Sequence, residues 1–171
     1  MPLAVATIIF SEDKKKVLLI KRRDVPVYAL PGGGVEIHER PEKAAIRETL
    51  EETHLHCKIE KVVGYYYPIS KIAHPTIVYQ CEKISGKESL SDETASIDYF
   101  SLDDLPQLLP PFYREWIQDA IENQNSVFKP LVGVSYKRLL SYLISHPLLV
   151  FRFLLARLKI PYNTKIKKRR L

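Results

Sequence analysis

The chain has 171 residues, 46% of them hydrophobic, which is enough for one well-packed domain and too few for two ordinary ones. Its two cysteines, Cys57 and Cys81, do not call for a disulfide framework, and each lies in a strand-like stretch where a free thiol most often packs as a small apolar residue. The net charge of +6 divides sharply at Asn125: residues 1–125 hold 15 Lys and Arg against all 20 Asp and Glu, whereas residues 126–171 hold 11 basic residues and no acidic ones. A blocky division of this kind points to a core, residues 1–125, followed by a basic stretch with its own partner.

In chain order, Met1 to Phe10 is apolar without a basic start, so it reads as a first strand and not as a signal peptide. With reduced thiols and no export signal, the cytoplasm is the expected compartment. Leu3 to Phe10 and Val17 to Arg22 flank the charged turn Ser11 to Lys16, which suggests a hairpin. Tyr28 to Leu30 leads into Pro31-Gly32-Gly33-Gly34, a breaker cluster incompatible with helix. From Pro41 to Thr53 the pattern becomes helical, with Pro41 suited to a first turn and Ala44, Ala45, Ile46, Thr49 and Leu50 supplying an inner face. His56 to Pro68, Thr76 to Lys83 and Ile97 to Ser101 read as strands, Leu102 to Leu105 as a turn, and Pro111 to Asn123 as a second helix. Strands before, between and after two separated helices imply an α/β fold with a mixed sheet covered on both faces.

The stretch that carries chemistry runs from Gly33 through Glu39 to Arg47-Glu48-Thr49-Leu50-Glu51-Glu52. Residues three and four apart share a helix face, so Glu48, Glu51 and Glu52 project to a common side. Such like charges are tolerated at low cost when a hard cation with oxygen ligands neutralises them. Arg47 can pair with Glu51 or with Glu39 and hold the cluster in register, and the glycines allow close backbone approach to a metal or phosphate. A solvated, merely structural Glu-rich face is the competing reading of the glutamates alone.

Taken with its spacing, this segment resembles the Nudix box, in which a glycine, a glutamate six positions on and an Arg-Glu-x-x-Glu-Glu core recur. The resemblance covers roughly residues 1 to 124: Lys21-Arg22-Arg23 and Tyr28-Ala-Leu-Pro-Gly-Gly-Gly are similar to the family's basic strand end and the lead into the box, and Phe100-Ser-Leu-Asp-Asp-Leu-Pro to its later strand and turn. It implies an α/β/α sandwich and Mg²⁺-dependent hydrolysis, with Mn²⁺ as an alternative ion, of a pyrophosphate bond in a nucleoside diphosphate linked to another moiety. Substrates of the ADP-ribose, nucleotide-sugar or nucleoside triphosphate type fall in that class. The resemblance implies Glu48, Glu51, Glu52 and Gly33 as metal ligands, Glu52 or Glu93 as the base, Arg47 as their support, and Arg22, Arg23, Gly33 and Glu39 around the substrate. Two departures stand out: Thr49 replaces a small hydrophobic residue, and His54 replaces the glycine that ends the helix, at a cost of order 1 kcal/mol in left-handed backbone. The rival functions are a non-catalytic Nudix-like module binding a nucleotide or protein, and an RNA-end pyrophosphohydrolase.

Beyond the core, Tyr136 to Ile160 is dominated by Leu, Ile, Val and Phe, with basic residues interspersed and Pro147 dividing two expected short helices. Leu148 to Leu158 is too short and too charged to span a bilayer. Three readings of this helical, basic extension compete: packing against the core or a homodimer interface, peripheral contact with an anionic membrane through Lys165 to Arg170, and nucleic-acid contact.

Overall fold

A computed structural model describes residues 2–132 together with 134, 147, 148 and 151. The chain runs β1 (Ala4–Ile9), β2 (Lys16–Arg22), β3 (Tyr28–Ala29), β4 (Gly32–Gly34), α1 (Pro41–Thr53), β5 (His56–Pro68), β6 (Thr76–Ser85), β7 (Thr94–Ser101), α2 (Pro111–Glu122) and β8 (Val127–Leu131). A five-stranded mixed sheet has the order β4-β1-β6-β5-β8, with β1 parallel to β6, β5 parallel to β8 and the other pairs antiparallel. A three-stranded antiparallel sheet, β3-β2-β7, stands beside it.

The alternating residues of the strands divide the interior into two apolar layers. Val5, Ile9, Leu18, Ile77 and Tyr79 pack under α1 through Ala44 and Ala45, whereas Ala6, Ile8, Val17, Leu19, Val78 and Tyr66 pack with Trp116, Ile117 and Ala120 of α2. Helices therefore cover the two faces, as an α/β/α sandwich requires, and near-continuous apolar runs such as Val17-Leu-Leu-Ile follow from burial on both sides.

The expected hairpin of the first two strands is not what forms. β1 and β2 meet at one antiparallel bridge, Phe10 to Val17, and then enter different sheets. Each has both edges taken by other strands, β1 by β4 and β6 and β2 by β3 and β7. Pro31-Gly-Gly-Gly also does more than break a helix: Gly32 to Gly34 pair with Ala6 to Ala4 as β4. A side chain on Gly32 (φ +156°) would lie 2.2 Å from the Val5 carbonyl oxygen, so only glycine permits this approach. Val127–Leu131, read from sequence as the start of the helical extension, instead forms β8 at the edge of the larger sheet. The helices expected between Tyr136 and Ile160, and the basic cluster Lys165 to Arg170, lie outside the described residues.

Candidate active site

The helix α1 begins at Pro41, which fixes the first-turn φ without sacrificing a needed N–H, and ends at His54 in the left-handed region (φ 60°, ψ 19°). The His54 amide donates to the Leu50 carbonyl, and its ring Nδ1 lies 3.0 Å from the Ser89 carbonyl oxygen. The helix thus closes with a histidine where a glycine was expected, and the carboxylates stay on their face.

Along that face the glutamates occupy different environments. Ala45, Thr49 and Glu52 follow the i, i+4, i+7 stripe, so Glu52 is directed into the protein and is only 6% exposed. Its Oε2 accepts the Gly32 amide hydrogen at 2.9 Å. Burial is the chief cause that pushes its carboxyl up to about 8; the Gly32 amide and the nearby Arg22 oppose that shift, while Glu48 and Glu93 add to it. Glu48 is raised for the same leading reason, with Arg47 opposing and Glu51 and Glu93 reinforcing. Glu93, on the loop before β7, therefore lies in the electrostatic field of both helix carboxylates, and Glu51 is the most solvated of the three on α1.

Arg47 is the hub. Its Nε and Nη2 donate to the two Glu39 oxygens at 2.9 Å each, Nη1 to Glu48 at 2.9 Å and Glu51 at 3.4 Å, and Nη2 also to the Gly34 carbonyl at 3.1 Å. Glu39 itself is held down to about 2, first by Arg47 and also by the Glu36 amide. One planar guanidinium thus ties the β4 strand, the following loop and the helix together. Gly33 provides the space: a Cβ there would sit 2.5 Å from the Glu48 carboxylate carbon.

The two arginines at the end of β2 diverge. Arg22 forms a two-pronged pair with Asp24, at 3.0 and 2.7 Å, while facing Glu52 and Tyr113. Arg23 donates from Nη2 to the backbone carbonyls of Thr94 and Ser91, at 3.0 and 3.4 Å, and from its amide to the Glu93 carbonyl at 2.9 Å, so it anchors the loop that carries Glu93. Sequence reasoning missed three neighbours: the Gly32 amide, Asp24 and Tyr113, whose hydroxyl burial pushes up to about 12. Asp24 had a signal in its position beside the arginines, whereas Tyr113 is brought in from α2 by tertiary packing alone.

Among the described residues, no three His, Cys, Asp or Glu side chains converge into a closed cation cage as they stand, because Arg47 draws Glu48 and Glu51 while the Gly32 amide draws Glu52. The donor chemistry nonetheless fits a hard divalent cation: a buried carboxylate whose ionisation is opposed by burial and by two further carboxylates is the arrangement that such an ion relieves.

Comparison with known proteins points to one family. The NUDIX domain model matches residues 1–120. A putative 8-oxo-dGTP diphosphatase of Bacillus subtilis is 33% identical over 116 residues, covering 67% of this chain and 76% of that protein. An ADP-ribose pyrophosphatase of Methanocaldococcus jannaschii is 36% identical over 103 residues, 57% of this chain and 61% of that one. The crystal structure of an ADP-ribose pyrophosphatase from Streptococcus suis superposes with a TM-score of 0.62 at 24% identity, over 75% of this chain and 98% of that chain, and shares the fold. The chain belongs to the NUDIX family and is a Nudix hydrolase.

Proposed function

We propose that this hydrolase cleaves the pyrophosphate bond of a nucleoside diphosphate linked to another group, with Mg²⁺, or Mn²⁺ in its place, held by Glu48, Glu51 and Glu52 beside Gly33. The observation that carries the reading is the buried Glu52 carboxylate, opposed in its ionisation by Glu48 and Glu93 on the same side of the helix. A bound divalent cation supplies neutralisation of the diphosphate oxygens and lowers the pKa of a water at the phosphorus. The chain's own groups do the rest. Arg47 tethers Glu48 and Glu51 to one flank of α1 beside Gly34, from which they would turn to an arriving cation. Arg22, fixed by Asp24 and facing Glu52, places a guanidinium where phosphate charge gathers. Glu93, brought to the cluster by the loop that Arg23 anchors, or Glu52, takes the proton of the attacking water.

The relatives whose names specify a substrate differ among themselves, 8-oxo-dGTP in one, ADP-ribose in another and diphosphoinositol polyphosphate in several, so cleavage of a pyrophosphate bond is supported more firmly than the group that bears it. The test is product release from ADP-ribose, nucleotide sugars, nucleoside triphosphates, dinucleoside polyphosphates and capped RNA, with Mg²⁺ and with chelator. Metal-dependent cleavage of at least one nucleoside diphosphate derivative, lost in Glu52→Gln, is the expected result. Silence across the panel from well-folded protein contradicts the proposal and favours a binding module.

A further inference from the structure

We infer that the outer edge of the larger sheet forms a docking surface for an anionic lipid bilayer, in a chain whose sequence beyond that edge is strongly basic. β8 is the edge strand, and its register sets Phe128 opposite Tyr65 and Pro130 opposite Tyr67 on one face of the sheet. Phe128 is 75% exposed and stacks on the half-exposed Tyr67, ring centroids 5.0 Å apart and 28° from parallel. Tyr65 is likewise exposed, as are Ile69 just beyond β5 and Val132 just beyond β8. The opposite face of the same two strands is fully occupied: Tyr66 packs on Trp116 and donates to Asp119, which also accepts from Lys129. The exposed rings are therefore not a by-product of a poorly packed strand pair.

Charge decides what covers them. From position 133 onward the sequence carries ten Lys and Arg, no Asp or Glu, and a long run of Leu, Ile, Val and Phe, and it begins where Val132 leaves this edge. A second copy meeting this one edge to edge brings the same basic stretch, with no acidic residue in it to offset the charge. A bilayer surface bearing anionic headgroups complements both properties, because aromatic and aliphatic side chains settle at the headgroup boundary while Lys and Arg meet the charge. Single-stranded nucleic acid satisfies the cations and can stack its bases on the exposed rings, but it leaves the aliphatic run without a partner. No described helix is long and apolar enough to cross a membrane, and the proposed contact requires none.

The experiment is sedimentation of the full chain with vesicles of phosphatidylcholine alone and of phosphatidylcholine with one third phosphatidylserine, at low and high salt. We expect pelleting with the anionic vesicles, at least tenfold weaker with the neutral ones and reduced by salt. Replacing Lys165, Lys167, Lys168, Arg169 and Arg170 with Gln should weaken the anionic partition at least tenfold. The double substitution Phe128→Ser with Tyr67→Ser should weaken it severalfold while preserving its salt dependence, with melting temperatures followed to establish that both variants fold. Pelleting equal on both vesicles, pelleting undiminished in the Gln variant, or no pelleting at all overturns the inference. So does tight binding of a single-stranded RNA by a chain that ignores the vesicles, or a dimer in light scattering that Phe128→Ser converts to monomer.

Discussion

Glu52 joins stability and chemistry in one side chain. In the metal-free protein its carboxyl is raised from the ordinary 4.5 to about 8, so between those values the unfolded chain releases a proton that the folded chain retains. Stability is therefore lost as pH rises through that window, and the sign is opposite to that of a salt-bridged carboxylate. The Glu52→Gln variant keeps an oxygen for the Gly32 amide and cannot ionise. Its melting temperature without metal should match the parent near pH 4.5 and exceed it by several degrees at pH 8, by thermal denaturation, while kcat falls at least about a hundredfold. Gly33 separates the same two properties differently. The atom that a Cβ would strike is the end of the Glu48 side chain, which can swing away. Gly33→Ala should accordingly melt close to the parent yet lose about ten- to a hundredfold in metal affinity or activity, as displaced ligand supports do. At His54 the left-handed backbone carries a steric cost that glycine lacks, so His54→Gly should stabilise the chain by up to about 1 kcal/mol in denaturant titration.

At the scale of elements, α1 was legible because several independent signals coincide: Pro41 at the first turn, an alanine-bearing inner stripe and the charged outer face gave the bounds Pro41 to Thr53 that the structure has. The burial of Glu52 was written in the same stripe, since Ala45, Thr49 and Glu52 share it, but a carboxylate on the inner face runs against the usual partition of charge to solvent. β8 was not legible. Its five residues include Lys129 and Pro130, which suit an edge strand and weaken any strand pattern, and the change in charge at Asn125 hid the join. What holds β8 is tertiary: Asp119 of α2, buried, accepts hydrogen bonds from Tyr66 of β5 at 2.7 Å, Lys129 of β8 at 2.6 Å and the Asn123 side chain at 3.3 Å. Asp119→Ala leaves the Tyr66 hydroxyl and the lysine unpaired and should cost about 2–4 kcal/mol in chemical denaturation. Catalysis at the distant cluster should change little per folded molecule. Arg47→Ala, by contrast, should lower kcat about ten- to a hundredfold. Arg47→Lys should restore little, because an ammonium cannot reproduce the fork that spans Glu39, Glu48 and Gly34.

For the whole molecule, the pattern of strands and two helices was enough to specify an α/β sandwich, because each helix needs an apolar face to cover and the strands present two. The division into sheets of five and three strands was not available from local patterns, since adjacent apolar runs such as β1 and β2 look alike whether they pair with each other or with strands far along the chain. The candidate site shows the same contrast. The glutamates and Arg47 come from one continuous motif and could be named in advance, whereas Asp24, Tyr113 and the Gly32 amide become neighbours of that motif only when β2, β4 and α2 assemble around it. The proposed chemistry rests most heavily on α1, where the buried Glu52 carboxyl either keeps its proton or, once ionised, calls for a cation beside it. Titration calorimetry with Mg²⁺ near pH 8 tests this most directly. Saturable uptake by the parent, abolished in Glu52→Gln and strongly weakened in Glu48→Gln while both variants remain folded, is the predicted result. Uptake unchanged in both variants, or turnover that persists in excess chelator, would contradict it.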